Sequence, residues 1–212
     1  MNEYNVGDLI SDFLFENDLK TVFGVVSVHN IPILDAIAKR NLIKFIPARG
    51  EMGAGHMADG FARSSDKVGV VLTSTGPGAA NVVGSLVEAR FAGTPLLHIT
   101  GQTATENLDK NQGTVHDVPN QLEMMKSVSK NAYRISSSKN VLEVLEKALE
   151  EAMTPPTGPV SIEIPIDVQR TIINRKEIFN KVIVNDKNIS LGNLKSLDLI
   201  EEEIRKSKRK IL

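Results

Sequence analysis

The 212-residue sequence contains no cysteine, which removes disulfides, thiolate metal sites and thiol nucleophiles together. Tryptophan is absent too, and aromatic residues make up only 4%, too few to suggest a platform on which nucleic-acid bases stack. Neither sign of charge dominates, because 25 Lys and Arg stand against 26 Asp and Glu. A balanced chain sets up no field that would draw nucleic acid or an anionic membrane. No apolar run approaches the roughly 20 residues that cross a bilayer, and Met1-Asn2-Glu3-Tyr4-Asn5 lacks the basic stretch and apolar core of a targeting leader. The expectation is a soluble, cytoplasmic protein with no nucleic-acid and no membrane partner.

What is present reads as an α/β protein. Short, nearly continuous apolar runs at Thr21 to Val26, Leu42 to Pro47, Val68 to Thr73, Pro95 to Thr100 and Pro159 to Ile164 suit strands covered on both faces. Helical patterns lie between them: Val6, Leu9, Ile10 and Phe13; Ile31, Leu34, Ile37 and Ala38; about Gly53 to Arg63; about Ala79 to Phe91; and Val141 through Ala148. Strand alternating with helix predicts right-handed crossovers and a three-layer fold, a mostly parallel sheet with helices on both faces. Gly101 to Lys126 interrupts this rhythm as a long polar loop with a short helical stretch near Gln121 to Met125, and such loops are more often functional than accidental. We expect a first domain over residues 1–173. Residues 174–212 then read as a linker, polar from Asn174 to Asn193, followed by an amphipathic helix on Leu194, Leu197, Ile200 and Ile204. The basic run from Arg205 to Lys210 suits the C-terminal end of that helix, and Ile211-Leu212 reads as a strand cut short.

Three segments stand after expected parallel strands, where open α/β sheets place their sites: Gly24 to Pro32, Pro47 to Arg63, and Leu72 to Asn81. Thr75-Gly76-Pro77-Gly78 is a glycine-rich turn between strand and helix. Alone it reads equally as an anion-binding turn, a plain tight turn, or a damaged dinucleotide fingerprint. Glu51 opens a helix whose first turns, Gly53, Ala54, Gly55 and Ala58, are nearly all small. A carboxylate at a helix N-terminus is common, but small residues also let another body approach closely. Loss of water around such a carboxyl disfavours its charged form and suits it to sharing a proton.

Glu51 to Arg63, followed by Val70 to Asn81 and by Pro95-Leu96-Leu97-His98-Ile99-Thr100-Gly101-Gln102, strongly resembles the pyrimidine-binding domain of thiamine-diphosphate enzymes, nearest the acetolactate synthase and 2-keto acid decarboxylase group. The resemblance covers about Val6 to Ile173. It implies that the cofactor is thiamine diphosphate and that Glu51 is the catalytic glutamate, hydrogen-bonded to a ring nitrogen of the aminopyrimidine. It further implies that Val26, Ser27, Thr75, Gly76, Pro77, Gly78 and Asn81 border that ring, and that the substrate is a small 2-keto acid.

Against the family pattern, Val26-Ser27 replaces Pro-Gly, His29 replaces a small residue, and His116-Asp117 falls near a Phe-Gln pair or paired histidines. His29, His116 and Asp117 are therefore candidates for the substrate side, and they point to a sibling of acetolactate synthesis acting on another 2-keto acid or acyl donor. His56 reads as a packing or interface residue, His98 as a core or interface one.

The family holds the diphosphate through magnesium on Gly-Asp-Gly and a later Asn in a second domain. Here Gly-Asp occurs only at Gly7-Asp8, so no metal ligand is expected on this chain, and magnesium would be held by a domain absent from it. The family's flavin site belongs mainly to its central domain, so this sequence gives FAD no support. The resemblance implies a homodimer or homotetramer through the helices lining the cofactor seam, with the diphosphate-binding domain of a partner subunit completing the site. The isolated chain is then expected to be inactive, either a truncated piece of a longer enzyme or the separate small subunit of a two-chain decarboxylase. Two other classes stay open: a silent assembly module, and an NAD-binding domain reading Gly76 to Gly84 as its fingerprint.

Overall fold

A computed structural model of the chain describes residues 3–110, 112–174, 181–183 and 194–207. In chain order the elements are α1 (Val6–Glu16), β1 (Thr21–Gly24), α2 (Ile31–Arg40), β2 (Lys44–Pro47), α3 (Glu51–Ser65), β3 (Gly69–Thr73), α4 (Pro77–Asn81), α5 (Val83–Ala92), β4 (Leu96–Gln102), α6 (Gln121–Val128), β5 (Asn131–Arg134), α7 (Val141–Met153), β6 (Pro159–Pro165), α8 (Ile166–Arg170) and α9 (Leu194–Lys206). Local chemistry sets several boundaries. Asn5 caps α1 by accepting from the Asp8 N–H at 3.0 Å while the Asp8 carboxylate accepts from the Asn5 N–H at 2.8 Å, a reciprocal pair that satisfies two otherwise orphaned donors. Gly93, at φ 69°, ends α5 in the left-handed conformation that a residue without Cβ adopts freely.

The six strands form one sheet in the order β2-β1-β3-β4-β6-β5, and every neighbouring pair is parallel. The central strands β3, β4 and β6 are buried along their whole length, as expected for strands covered on both faces. From β1 the chain crosses outward to β2 and then back past β1 to β3. The connections therefore diverge between β1 and β3, and a crevice opens at the C-terminal ends of those strands.

Three elements depart from the expectation. Asn131–Arg134 is a strand, β5, at the sheet edge, where a polar sequence can pair on one side only and carries no apolar signal. Residues 166–170 form the short helix α8. The continuous helix expected over Ala79 to Phe91 is two helices jointed at Val82, and Gly84 just beyond the joint weakens helical propagation there. Most of the Asn174 to Asn193 segment, and the chain end beyond Ser207, lie outside the described residues.

Candidate active site

The loop after β1 is fastened to the end of β3 by one side chain. Asn30 is completely buried; its Nδ2 donates to the Val25 carbonyl at 3.0 Å and the Thr73 carbonyl at 3.2 Å, and its Oδ1 accepts from the Ser27 N–H at 2.9 Å. The Ser27 and Ser74 hydroxyls then meet at 2.7 Å. Val26 is 63% exposed and turns toward a groove lined by Ile31, Leu34 and Phe45.

Glu51 is the first residue of α3, and its side chain folds inward, leaving the residue 8% exposed. Its Oε2 accepts from Asn81 Nδ2 at 3.3 Å. Gly78 makes this possible, since a Cβ there would stand 2.7 Å from Glu51 Oε1 and 2.6 Å from Ser74 Cβ. The glycine thus leaves room for a carboxyl group against the turn. Gly76 adopts φ 54° and ψ −110°, a region essentially reserved for glycine. A Cβ at Gly76 would also lie 2.0 Å from the His116 carbonyl oxygen, so the long loop after β4 rests directly on this turn.

Beneath the turn lies a buried polar network. Gln121 Oε1 accepts from the Gly76 N–H at 2.6 Å and from the Thr75 hydroxyl at 2.9 Å, and its Nε2 donates to the Gly101 carbonyl at 3.2 Å and to Glu163 Oε2 at 3.0 Å. Gln102 also donates to Glu163. Glu163 is 1% exposed, and its charge is met by the Arg134 guanidinium, which pairs as well with Asp109 of the long loop at 2.5 Å. A buried carboxylate without such partners would be strongly destabilising.

The His29 and His116 rings face each other with centroids 5.6 Å apart. His29 is held below the ordinary histidine range, first by burial and then by the positive charges of His116 and Arg170. His116 is exposed, and Asp117 is partly buried with its N–H on the Thr114 carbonyl. His98 is fully buried in the core between the hydroxyls of Thr73 and Ser161, and burial depresses it to about 3. His56 is exposed on α3. Among the described residues, no group of three or more His, Asp or Glu is placed to hold a metal.

The structure therefore gathers Glu51 and Asn81 around the turn of Thr75, Gly76 and Gly78, joins Ser27 to it through Ser74, and brings His29 to His116. Sequence reasoning missed Asn30, Ser74, Gln102, Gln121, Arg134 and Glu163. One signal was available: Glu163 is the only charged residue in the run Pro159 to Ile164, and a charge in a doubly covered strand calls for partners.

The chain matches the family model of the thiamine pyrophosphate enzyme, N-terminal TPP binding domain, over residues 4–124. It is similar to the mitochondrial acetolactate synthase catalytic subunit of Aspergillus candidus, 32% identical over 169 residues that make up 80% of this chain and 24% of that relative. It is also similar to the corresponding subunit of Saccharomyces cerevisiae, 33% identical over 79% of this chain and 24% of the relative. The acetolactate synthase large subunit of Lactococcus lactis is 34% identical over 76% of this chain and 27% of its own length. The chain spans about a quarter of the length of these relatives.

Proposed function

The chain belongs to the thiamine pyrophosphate enzymes, as their N-terminal TPP-binding domain, and from that premise we propose that it is the pyrimidine-binding part of an enzyme that cleaves and joins carbon–carbon bonds of 2-keto acids, as acetolactate synthases do. The observation that carries this reading is a carboxyl group, Glu51, withdrawn from water at the mouth of the sheet beside a turn without side chains. When bound, thiamine diphosphate supplies an acidic carbon and an electron-accepting ring. Glu51 holds or passes the proton at its carboxyl oxygen, and Asn81 fixes that carboxyl by donating to Oε2. Thr75, Gly76, Pro77 and Gly78 present a flat wall at which a planar ring can lie, and Ser27, tied to Ser74, closes it from the first loop, while Val26 faces the neighbouring groove.

The cofactor's diphosphate and magnesium would be held by another domain, supplied in the assembled enzyme by a second subunit. In support, α3 and α5 leave Met52, Val87 and Phe91 outward at 55%, 49% and 91% exposure, an apolar face suited to burial against a partner. Residues 1–173 form the domain in this reading, and residues 174–212 lead into the next one. No helix of the described residues is long and apolar enough to cross a membrane, and a cytoplasmic site of action fits a chain without cysteine.

The test is Glu51→Gln in the assembled enzyme. Turnover should fall by about 10²–10⁴-fold with unfolding and assembly unchanged; near-normal turnover removes Glu51 from the chemistry. By itself the 212-residue chain should bind thiamine diphosphate only weakly and turn nothing over, and tight stoichiometric binding by calorimetry would overturn that part.

A further inference from the structure

We propose that His29 and His116 clamp a second anionic group of the substrate, so that the site takes 2-keto acids carrying an acidic group at the end remote from the keto carbon. Assigning the anion to a substrate rests on the function proposed above. The two rings come from different loops yet stand 5.6 Å apart. His29 is nine-tenths buried, and its Nδ1 is a buried polar atom with no hydrogen-bond partner among the described residues. Such an atom costs the desolvation of the group unless a ligand completes it.

Both residues are held in place. Gln169 Nε2 donates to the His29 carbonyl at 2.8 Å, and Gly101 leaves space for the same peptide, since a Cβ there would meet the His29 oxygen at 2.4 Å. The His116 carbonyl lies against Gly76 while the residue itself is exposed. One ring is therefore anchored inside and the other meets solvent, from which substrate arrives.

The charges around the pair favour an anion. His116 and Arg170 both act on His29 as cations. Among the acids nearby in sequence, Asp167 of α8 is engaged by the backbone and hydroxyl of Thr105, and the Asp117 carboxylate makes no hydrogen bond among the described residues. An anion between the rings offsets their mutual repulsion and lets both take up a proton. The carboxylate that leaves as carbon dioxide is a poor occupant, because pairing it with cations would stabilise the ground state and oppose its loss. The clamp suits an acidic group that stays on the product.

The test compares 2-oxoglutarate with 2-oxopentanoate, probes of one chain length that differ by a terminal carboxylate. Histidine-ring NMR signals of the full chain are titrated with pH for each probe, with and without thiamine diphosphate, using His56 and His98 as internal references. With 2-oxoglutarate, the ring signals of His29 and His116 should shift and the His29 protonation midpoint should rise by about one pH unit, making binding up to about tenfold tighter near pH 6 than near pH 8. 2-Oxopentanoate should move neither, and His116→Ala should abolish the difference between the probes. Equal binding of the two probes, or histidines unmoved by 2-oxoglutarate, overturns the clamp. The cofactor reading is tested apart, by Glu51→Gln in the assembled enzyme: responding histidines here with near-normal turnover of that variant support the anion site and count against the cofactor reading, whereas silent histidines overturn the clamp alone.

Discussion

On one face of the sheet Val70, Leu72, Leu97, Ile99, Val160 and Ile162 meet Leu9, Phe13, Ile37 and Leu145 in a layer made of large aliphatic side chains and phenylalanine. On the other face the alternate positions of the same strands carry Val71, Thr73, Leu96, His98, Ser161 and Glu163, and the helices opposite are lined with Ala54, Ala58, Ala62, Ala79 and Ala89. Small residues bring α3 close to the sheet and to α5; a Cβ on Gly69 would lie 2.4 Å from the Ala58 carbonyl, and one on Gly55 would lie 1.9 Å from Ser85 Oγ. The first face spends its residues on stability. The second holds hydrogen-bonded polar groups beneath the turn at Gly76 and carries the helix that Glu51 opens. The candidate site thus lies on the more polar side, where the helices carry small residues.

If that division is right, substitutions should rank accordingly. Phe13→Ala on the aliphatic face should cost about 3–5 kcal/mol in urea unfolding; a loss under about 1 kcal/mol would mean that the layer repacks freely, and the contrast between faces would vanish. On the polar face the largest effect comes from acid. His98 titrates at about 3 when folded instead of 6.5, so the unfolded chain binds the extra proton between those values. Its contribution is complete above about pH 6.5 and is lost as pH falls, at up to about 1.4 kcal/mol per pH unit. Chemical denaturation between about pH 7 and 5 should therefore show a slope that His98→Gln flattens. Gly55→Ala should cost about 1–3 kcal/mol by crowding Ser85 and Val82; neutrality would show slack between α3 and α5. Phe91→Ser, at the outer surface, should change monomer stability by no more than about 0.5 kcal/mol while weakening self-association in sedimentation velocity. Unchanged association would detach that surface from the proposed interface.

The parallel sheet was legible because β1, β3, β4 and β6 are apolar runs bounded by turn residues, and the amphipathic helices between them announce crossovers. The edge strand β5 was not, since Asn131-Ala132-Tyr133-Arg134 has neither alternation nor a continuous apolar run. The joint at Val82 was hidden by a composition that suits one helix. In the candidate site, Glu51 and the Gly76-Pro77-Gly78 turn stand out as local motifs. Gln121 does not: its role consists of bonds to Gly76, Gly101 and Glu163, which lie on three other segments of the chain.

Apolar periodicity and turn chemistry act over a few residues, so the chain by itself specified its layered α/β class, the alternation of its main strands with helices and the helix that Glu51 opens. Contacts between distant segments obey no such local rule. Only folding placed Asn81 on the Glu51 carboxyl, set Arg134 against the buried Glu163, and turned His29 toward His116. The reason is that polar and charged groups removed from water must find partners wherever the packed backbone delivers them, and that location is a property of the whole sheet.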